Sequence, residues 1–230
     1  MIKEYPILVF SHNYLVSDWE EVVKEQLFLL YKWDLYKESD KIFYCVYSHN
    51  EDDFTKFIEI VNYFDNLGKI QVIRHYENKF ENLTIQFLHK TVKQYKEAYV
   101  LYYHTKGTYS ASLNLEKKKN IISWRKLMEY FTIENWKDCV SNLSHSDTVG
   151  ALYWINEAHH KWKYFYSGNF WWSKSSYLST LPEIDIDGDR LESEMWIGYK
   201  PHKWVNLYPS PTSNADHYNV YFDPGQYRKF

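Results

Sequence analysis

Tyr5-Pro-Ile-Leu-Val-Phe-Ser-His-Asn13 opens the chain as a short apolar run closing on polar residues, and a helical pattern then runs from a cap at Asp18 to about Tyr36. This strand-then-helix unit repeats. A strand is expected over 42–48, a helix over 52–66, a strand over 70–75, a helix over 81–96 and a strand over 98–104. After a basic insertion containing Lys117-Lys118-Lys119, a further helix is expected from about Ile121 to Leu143. Strands alternating with helices at this spacing imply βαβ units, hence an α/β fold with a mainly parallel central sheet flanked by helices. From Thr148 the texture changes to short aromatic strands over 148–155 and 164–173, a short helix near 190–198 and an irregular tail rich in Pro, Asn and Tyr. The expected organisation is one domain over 1–230, with a first half to about 110 and a smaller mixed region and tail over 111–230.

Composition narrows the function classes. A net charge of −3 gives no general attraction to polyanions, so nucleic acid is not an expected partner. No apolar run reaches the ~18 residues of a membrane span, and Met1-Ile-Lys-Glu4 lacks a signal-peptide pattern, so a cytoplasmic chain is expected. Cys45 and Cys139 sit in strand-like and helix-like runs with no Cys-x-x-Cys pair, which reads as two buried thiols in a reducing compartment. Aromatic residues make up 20% of the chain, more than a core of this size needs. Rings with polar tips suit surfaces that bind sugars, although AT-rich coding would also enrich Tyr and Phe. The G-x-G-x-x-G, G-x-x-x-x-G-K-[ST] and G-x-S-x-G patterns are all absent, which argues against dehydrogenases, P-loop enzymes and α/β-hydrolases.

Ligands of open parallel sheets bind beyond the carboxyl ends of the strands. The polar strand ends Ser11-His-Asn13, Ser48-His-Asn50, His75-Tyr-Glu77 and His104-Thr-Lys106 are therefore expected to line one cleft. A cation at Lys106 suits a diphosphate, with His104 as hydrogen-bonding partner; the alternative is a solvated lysine and an ordinary strand-end histidine. Glu81, at a helix start, is either a first-turn acid or a group for a sugar hydroxyl. Read as extended chain, Tyr166-Ser-Gly-Asn-Phe-Trp-Trp-Ser-Lys174 puts Gly168 and Trp172 on one face and Asn169 and Trp171 on the other, and only one face can meet a ligand. Asn169 matches vicinal hydroxyls, and a tryptophan ring packs on a pyranose; the alternative is a central core strand whose tryptophans fill the interlayer space. A glycine within that run favours close ligand approach. In Asp187-Gly-Asp-Arg-Leu-Glu-Ser-Glu-Met-Trp196, Asp189 reads as an N-cap and Glu192 as its capping-box acid. Glu194 either pairs with Arg190 four residues earlier or serves as a general base beside Trp196. Glu157 with His159-His160, and Asp216-His217, lack metal-binding spacing, so no metal ligands are assigned.

Taken together, Tyr102-Tyr-His-Thr-Lys-Gly107, Trp124-Arg125, Tyr130-Phe131, Ser167-Gly-Asn-Phe-Trp-Trp172, Leu181-Pro182 and Arg190 with Glu194 and Trp196 resemble a glycosyltransferase-like family of GT-A (Rossmann-like) fold, akin to rhamnan-synthesis-type and large-DNA-virus enzymes. The likeness spans roughly residues 5 to 200. It implies a nucleotide-sugar donor, a UDP-sugar first, bound by the first half at Ser11, Asn13, Arg74, Glu81, His104 and Lys106. It implies a glycan acceptor at Gly168, Asn169, Trp171, Trp172 and Trp196, with Glu194, Asp189 and Arg190 as the catalytic group, and association with other glycan-assembly enzymes. Such enzymes commonly carry Asp-x-Asp for Mn²⁺ or Mg²⁺ where this chain has His104-Thr-Lys106. Either Lys106 neutralises the phosphates without metal, or Asp187 or Asp189 recruits one. A carbohydrate-binding protein without catalysis and a tryptophan-rich docking scaffold are the alternative classes.

Overall fold

The computed structural model describes residues 4–108, 114–157, 163–212 and 217–228. Three βα units and a fourth strand come first: β1 (Ile7–Leu15), α1 (Trp19–Lys32), α2 (Leu35–Glu38), β2 (Lys41–Ser48), α3 (Glu51–Phe64), β3 (Ile70–His75), α4 (Asn82–Val92) and β4 (Tyr99–His104). Then follow α5 (Leu115–Glu129), a π-helical turn (Tyr130–Glu134), α6 (Trp136–Asn142), β5 (Thr148–Gly150), β6 (Tyr153–Ile155), β7 (Tyr164–Tyr166) and β8 (Trp171–Lys174). The chain closes with α7 (Ser175–Leu178), α8 (Leu191–Met195), a 3₁₀ turn (Trp196–Gly198), β9 (Trp204–Asn206) and α9 (Pro224–Tyr227). One seven-stranded sheet in the order β3-β2-β1-β4-β8-β5-β9 draws strands from both parts of the chain. β3, β2, β1 and β4 are parallel, and β8 alone is reversed against its neighbours β4 and β5.

Alternation along β1 divides the core. Ile7 and Val9 face Val23 and Leu27 of α1, Phe57 of α3 and Leu127 of α5. Leu8 and Phe10 face Ile85 and Leu88 of α4, Leu178 of α7 and Trp196. Both sheet faces are thus covered, which is why β1, β2 and β4 read as near-continuous apolar runs.

Several boundaries differ from the sequence reading, each for a local reason. β1 continues through Ser11, His12 and Asn13 because their polar side chains find partners: His12 Nδ1 lies 2.8 Å from Thr84 Oγ1, and Asn13 Nδ2 donates to the Cys45 carbonyl at 3.2 Å. Asp18 makes no side-chain cap, and Glu20 and Glu21 instead place negative charge in the first turn of α1. The basic Lys117–Lys119 run is helical, since Asn114 caps α5 by accepting the Lys117 N–H at 2.9 Å. The expected long helix breaks at the π-helical turn, where the Thr132 carbonyl accepts Trp172 Nε1 at 2.7 Å. Expected strand 148–155 breaks where Leu152 takes φ +59°.

The largest correction concerns 164–173, which is not one strand. Gly168 (φ +92°) and Asn169 (φ +58°) turn the chain between β7 and β8. A Cβ on Gly168 would lie 2.5 Å from Met128 Sδ and 3.1 Å from Trp124 Cε2, so the close approach that requires glycine is made by α5. Gly168→Ala should therefore destabilise the fold by about 2–5 kcal/mol, from backbone strain and overpacking together. Urea unfolding followed by tryptophan fluorescence measures this, and an unchanged midpoint would count against the packing.

Candidate functional site

The strand order places β2 on one side of β1 and β4 on the other, so chain connections diverge between β1 and β4. A cleft forms outside the carboxyl end of a sheet at such a switch point. Here it measures about 400 Å³ and is lined by His12 and Tyr14 from β1, Phe80 and Glu81 before α4, His104 through Thr108 after β4, Gly168 and Asn169, Arg190 and Glu194, and Tyr218. Among the described residues neither Lys106 nor Arg190 has a carboxylate partner. Lys106 Nζ instead sits 3.8 Å from the Trp124 ring centroid and 5.8 Å from that of Tyr218. Cation–π contact holds the ammonium in place without cancelling its charge.

The Gly168 backbone is held at both of its polar groups. Its N–H donates to Glu194 Oε1 at 2.8 Å, and its carbonyl accepts His104 Nε2 at 3.0 Å. Glu81 Oε2 gathers two donors, the Tyr102 hydroxyl at 2.6 Å and Asn169 Nδ2 at 2.8 Å. Asn169 Nδ2 also reaches the Ser193 carbonyl at 3.3 Å, and its oxygen accepts Trp171 Nε1 at 2.8 Å. Glu194 keeps its second oxygen for the cleft that it lines.

Residues 7–213 match the family described as a domain of unknown function (DUF8361). The chain belongs to that family. No curated protein matches it. Among solved structures, the crystal structure of 4-diphosphocytidyl-2C-methyl-D-erythritol synthase aligns over 97% of this chain and 95% of that one, with a TM-score of 0.42 and 8% identity.

In this DUF8361 member Glu81, His104, Lys106, Gly168, Asn169, Arg190 and Glu194 converge on the cleft. The other candidates do not. Ser11, Asn13 and Arg74 share a strand parity opposite to that of His12: Asn13 pairs in register with Val46 and then Arg74, whereas His12 pairs with His104 and Cys45. Arg74 is spent on Glu51, with contacts of 2.8 and 2.5 Å, over the Phe54 ring at the sheet edge. Trp171, Trp172 and Trp196 are fully buried, so none can serve as a sugar platform; their indole N–H groups bond Asn169, Thr132 and Pro182. That burial takes these three rings off any exposed surface. Asn169 lines the cleft, but its amide is already committed on both ends, which displaces its expected role with vicinal hydroxyls.

Asp189 is exposed, off the cleft wall and one residue before Arg190, the N-cap of α8; its carboxylate accepts the Leu191 N–H at 2.8 Å as a local turn contact, so it is not the N-cap the sequence suggested. Glu192 bonds the Tyr199 hydroxyl. Glu194 turns to Gly168 rather than to Arg190. His159, His160 and Asp216 lie outside the described residues, while His217 is buried between Ser167 and Ser210 hydroxyls, each 2.9 Å away. A divalent cation does not fit this donor set. Among the described residues no three His, Cys, Asp or Glu side chains converge, Lys79 takes Asp187 at 2.6 Å, and the strand end offers a cation. No helix among the described residues is long and apolar enough to cross a membrane.

Three histidines near the site are held neutral. Burial pushes His12 and His104 down to about 3 and His75 down to about 4. The unfolded chain, with histidines near their ordinary value, binds more protons than the fold between pH ~6.5 and the depressed values. Their contribution is therefore complete above pH ~6.5 and is lost as pH falls towards 4 and then 3. Urea midpoints should drop across pH 6.5 to 4, and His12→Gln should flatten that slope. An equal slope in the variant would show that His12 does not carry it.

Proposed function

We propose that the cleft is a glycosyltransferase site of GT-A type, taking a nucleotide-sugar donor and a hydroxyl acceptor. The observation that carries this reading is the pair of cations, Lys106 and Arg190, with no carboxylate partner among the described residues, facing the same cleft as the half-engaged Glu194. Cations in a recess at a switch point favour an anionic ligand, and the diphosphate of a nucleotide sugar supplies that charge. A volume of about 400 Å³ lies within the range of ligand sites.

In the proposed reaction Glu194 takes the proton of an acceptor hydroxyl as the oxygen forms a bond to the anomeric carbon. The bond from that carbon to the β-phosphate oxygen breaks, and its electron pair leaves on the nucleoside diphosphate. Lys106 and Arg190 stabilise the charge gathering there. The Gly168 N–H orients Glu194 by holding one of its oxygens. No step is routed through a metal.

The test is a panel of UDP-, GDP- and CDP-sugars scored by thermal shift and by release of nucleoside diphosphate. Lys106→Ala should weaken nucleotide binding about tenfold or more, the scale of one hydrogen bond to a charged group. Glu194→Gln keeps an oxygen for the Gly168 N–H, so binding should persist while turnover falls by roughly 10²–10⁴. No response to any nucleotide would overturn the reading, and undiminished turnover in Glu194→Gln would remove that residue as base.

A further inference from the structure

Glu81 Oε1 lies 3.8 Å from His104 Nδ1, and both side chains line the cleft with 17% and 15% of their surface exposed. Neighbouring contacts settle what each atom can do. The Gly168 carbonyl only accepts, so His104 Nε2, 3.0 Å from it, carries the ring proton. In the neutral imidazole Nδ1 is then a bare lone pair. On the other side, Glu81 Oε2 is occupied by the Tyr102 hydroxyl and Asn169 Nδ2. Oε1 remains as a carboxylate acceptor.

Two acceptors therefore point towards one position, with no proton to share and a separation beyond hydrogen-bonding range. A hydroxyl arriving there has a single hydrogen, so it serves one acceptor and turns a lone pair to the other. A group with two N–H hydrogens serves both. A ligand group that cannot reproduce both bonds when it displaces solvent loses affinity.

We propose that the ligand places an N–H₂ group, from an amino sugar or from an exocyclic nucleobase amine, between Glu81 Oε1 and His104 Nδ1. This rests on the transferase reading of the cleft and adds the chemistry by which the ligand is selected. Uracil, with a single ring N–H flanked by carbonyls, does not meet the requirement, so a uridine donor would have to bring the amine on its sugar.

The experiment compares, on the whole chain, pairs that differ in that group: UDP-glucosamine against UDP-glucose, and CDP against UDP, where ring N3 also changes from a donor to an acceptor, by isothermal titration calorimetry at pH 7.5. The N–H₂ member of one pair should bind about tenfold or more tightly, and the discriminating pair identifies the source. Equal affinity within both pairs would overturn this inference while leaving the transferase reading intact. Binding by no member would overturn both. In Glu81→Gln the side chain keeps an oxygen for Tyr102 and Asn169 and turns its own N–H₂ towards His104 Nδ1, so discrimination should shrink to within about twofold. Undiminished discrimination in that variant would also overturn the assignment. If far-UV circular dichroism shows that Glu81→Gln does not fold, the wild-type pairs decide alone.

Discussion

The backbone of Gly168 is the joint on which the site depends. Its N–H is held by Glu194 from α8 and its carbonyl by His104 from the end of β4, while Trp124 and Met128 of α5 press against the place a Cβ would occupy. Three elements far apart in sequence meet at this one left-handed turn. A buried backbone group left without its partner costs about 1–3 kcal/mol, so neither contact can be surrendered cheaply. The turn also projects Asn169 towards Glu81, which ties the start of α4 to the same point. Cleft shape and core packing are consequently one problem.

Support behind this joint is polar as well. Gln26 Nε2 donates to the His104 carbonyl at 3.1 Å and to Glu129 Oε1 at 2.9 Å. Burial pushes Glu129 up to about 7, with Arg125 opposing that rise. The last residue of β4 is thus fixed through its ring on one side and through its carbonyl on the other. Lys106, two residues on, is held over an aromatic ring, so its charge stays available to a ligand.

Much of the architecture was legible from residue pattern. β4 lies where its apolar run placed it, because a strand buried on both faces leaves an unbroken hydrophobic signal, and β3 keeps its expected bounds although, at the sheet edge, it is only part-buried. The reading of β1 stopped at Phe10, and that mattered: extending the strand to Leu15 exposes an alternation that sends His12 to the cleft and Ser11 and Asn13 away from it. Parity within a strand changes with a one-residue decision, and polar residues conceal where the strand ends. His12 could have been found from the same rule, as the middle residue of the Ser11-His-Asn13 run. Tyr218 had no comparable signal, since it reaches the cleft from the tail, where Asn120 Nδ2 holds its carbonyl at 3.2 Å.

Sequence alone determined the βα alternation and the parallel strands, because periodicity and burial are properties of neighbouring residues; of the four polar strand ends expected to line one cleft, those of β1 and β4 do, whereas Ser48-His-Asn50 and His75-Tyr-Glu77 are not on its wall. Sequence also singled out Glu81, His104, Lys106 and Glu194 by residue type at element ends. Only the tertiary structure decided that Trp171, Trp172 and Trp196 are core, that Asn169 is consumed by Glu81, Ser193 and Trp171, and that Gly168 answers to α5. Most of those outcomes rest on contacts distant in sequence, such as Asn169 with Glu81 at 88 positions and with Ser193 at 24, and a side chain's free hydrogen-bonding capacity is known only once its distant partners are in place.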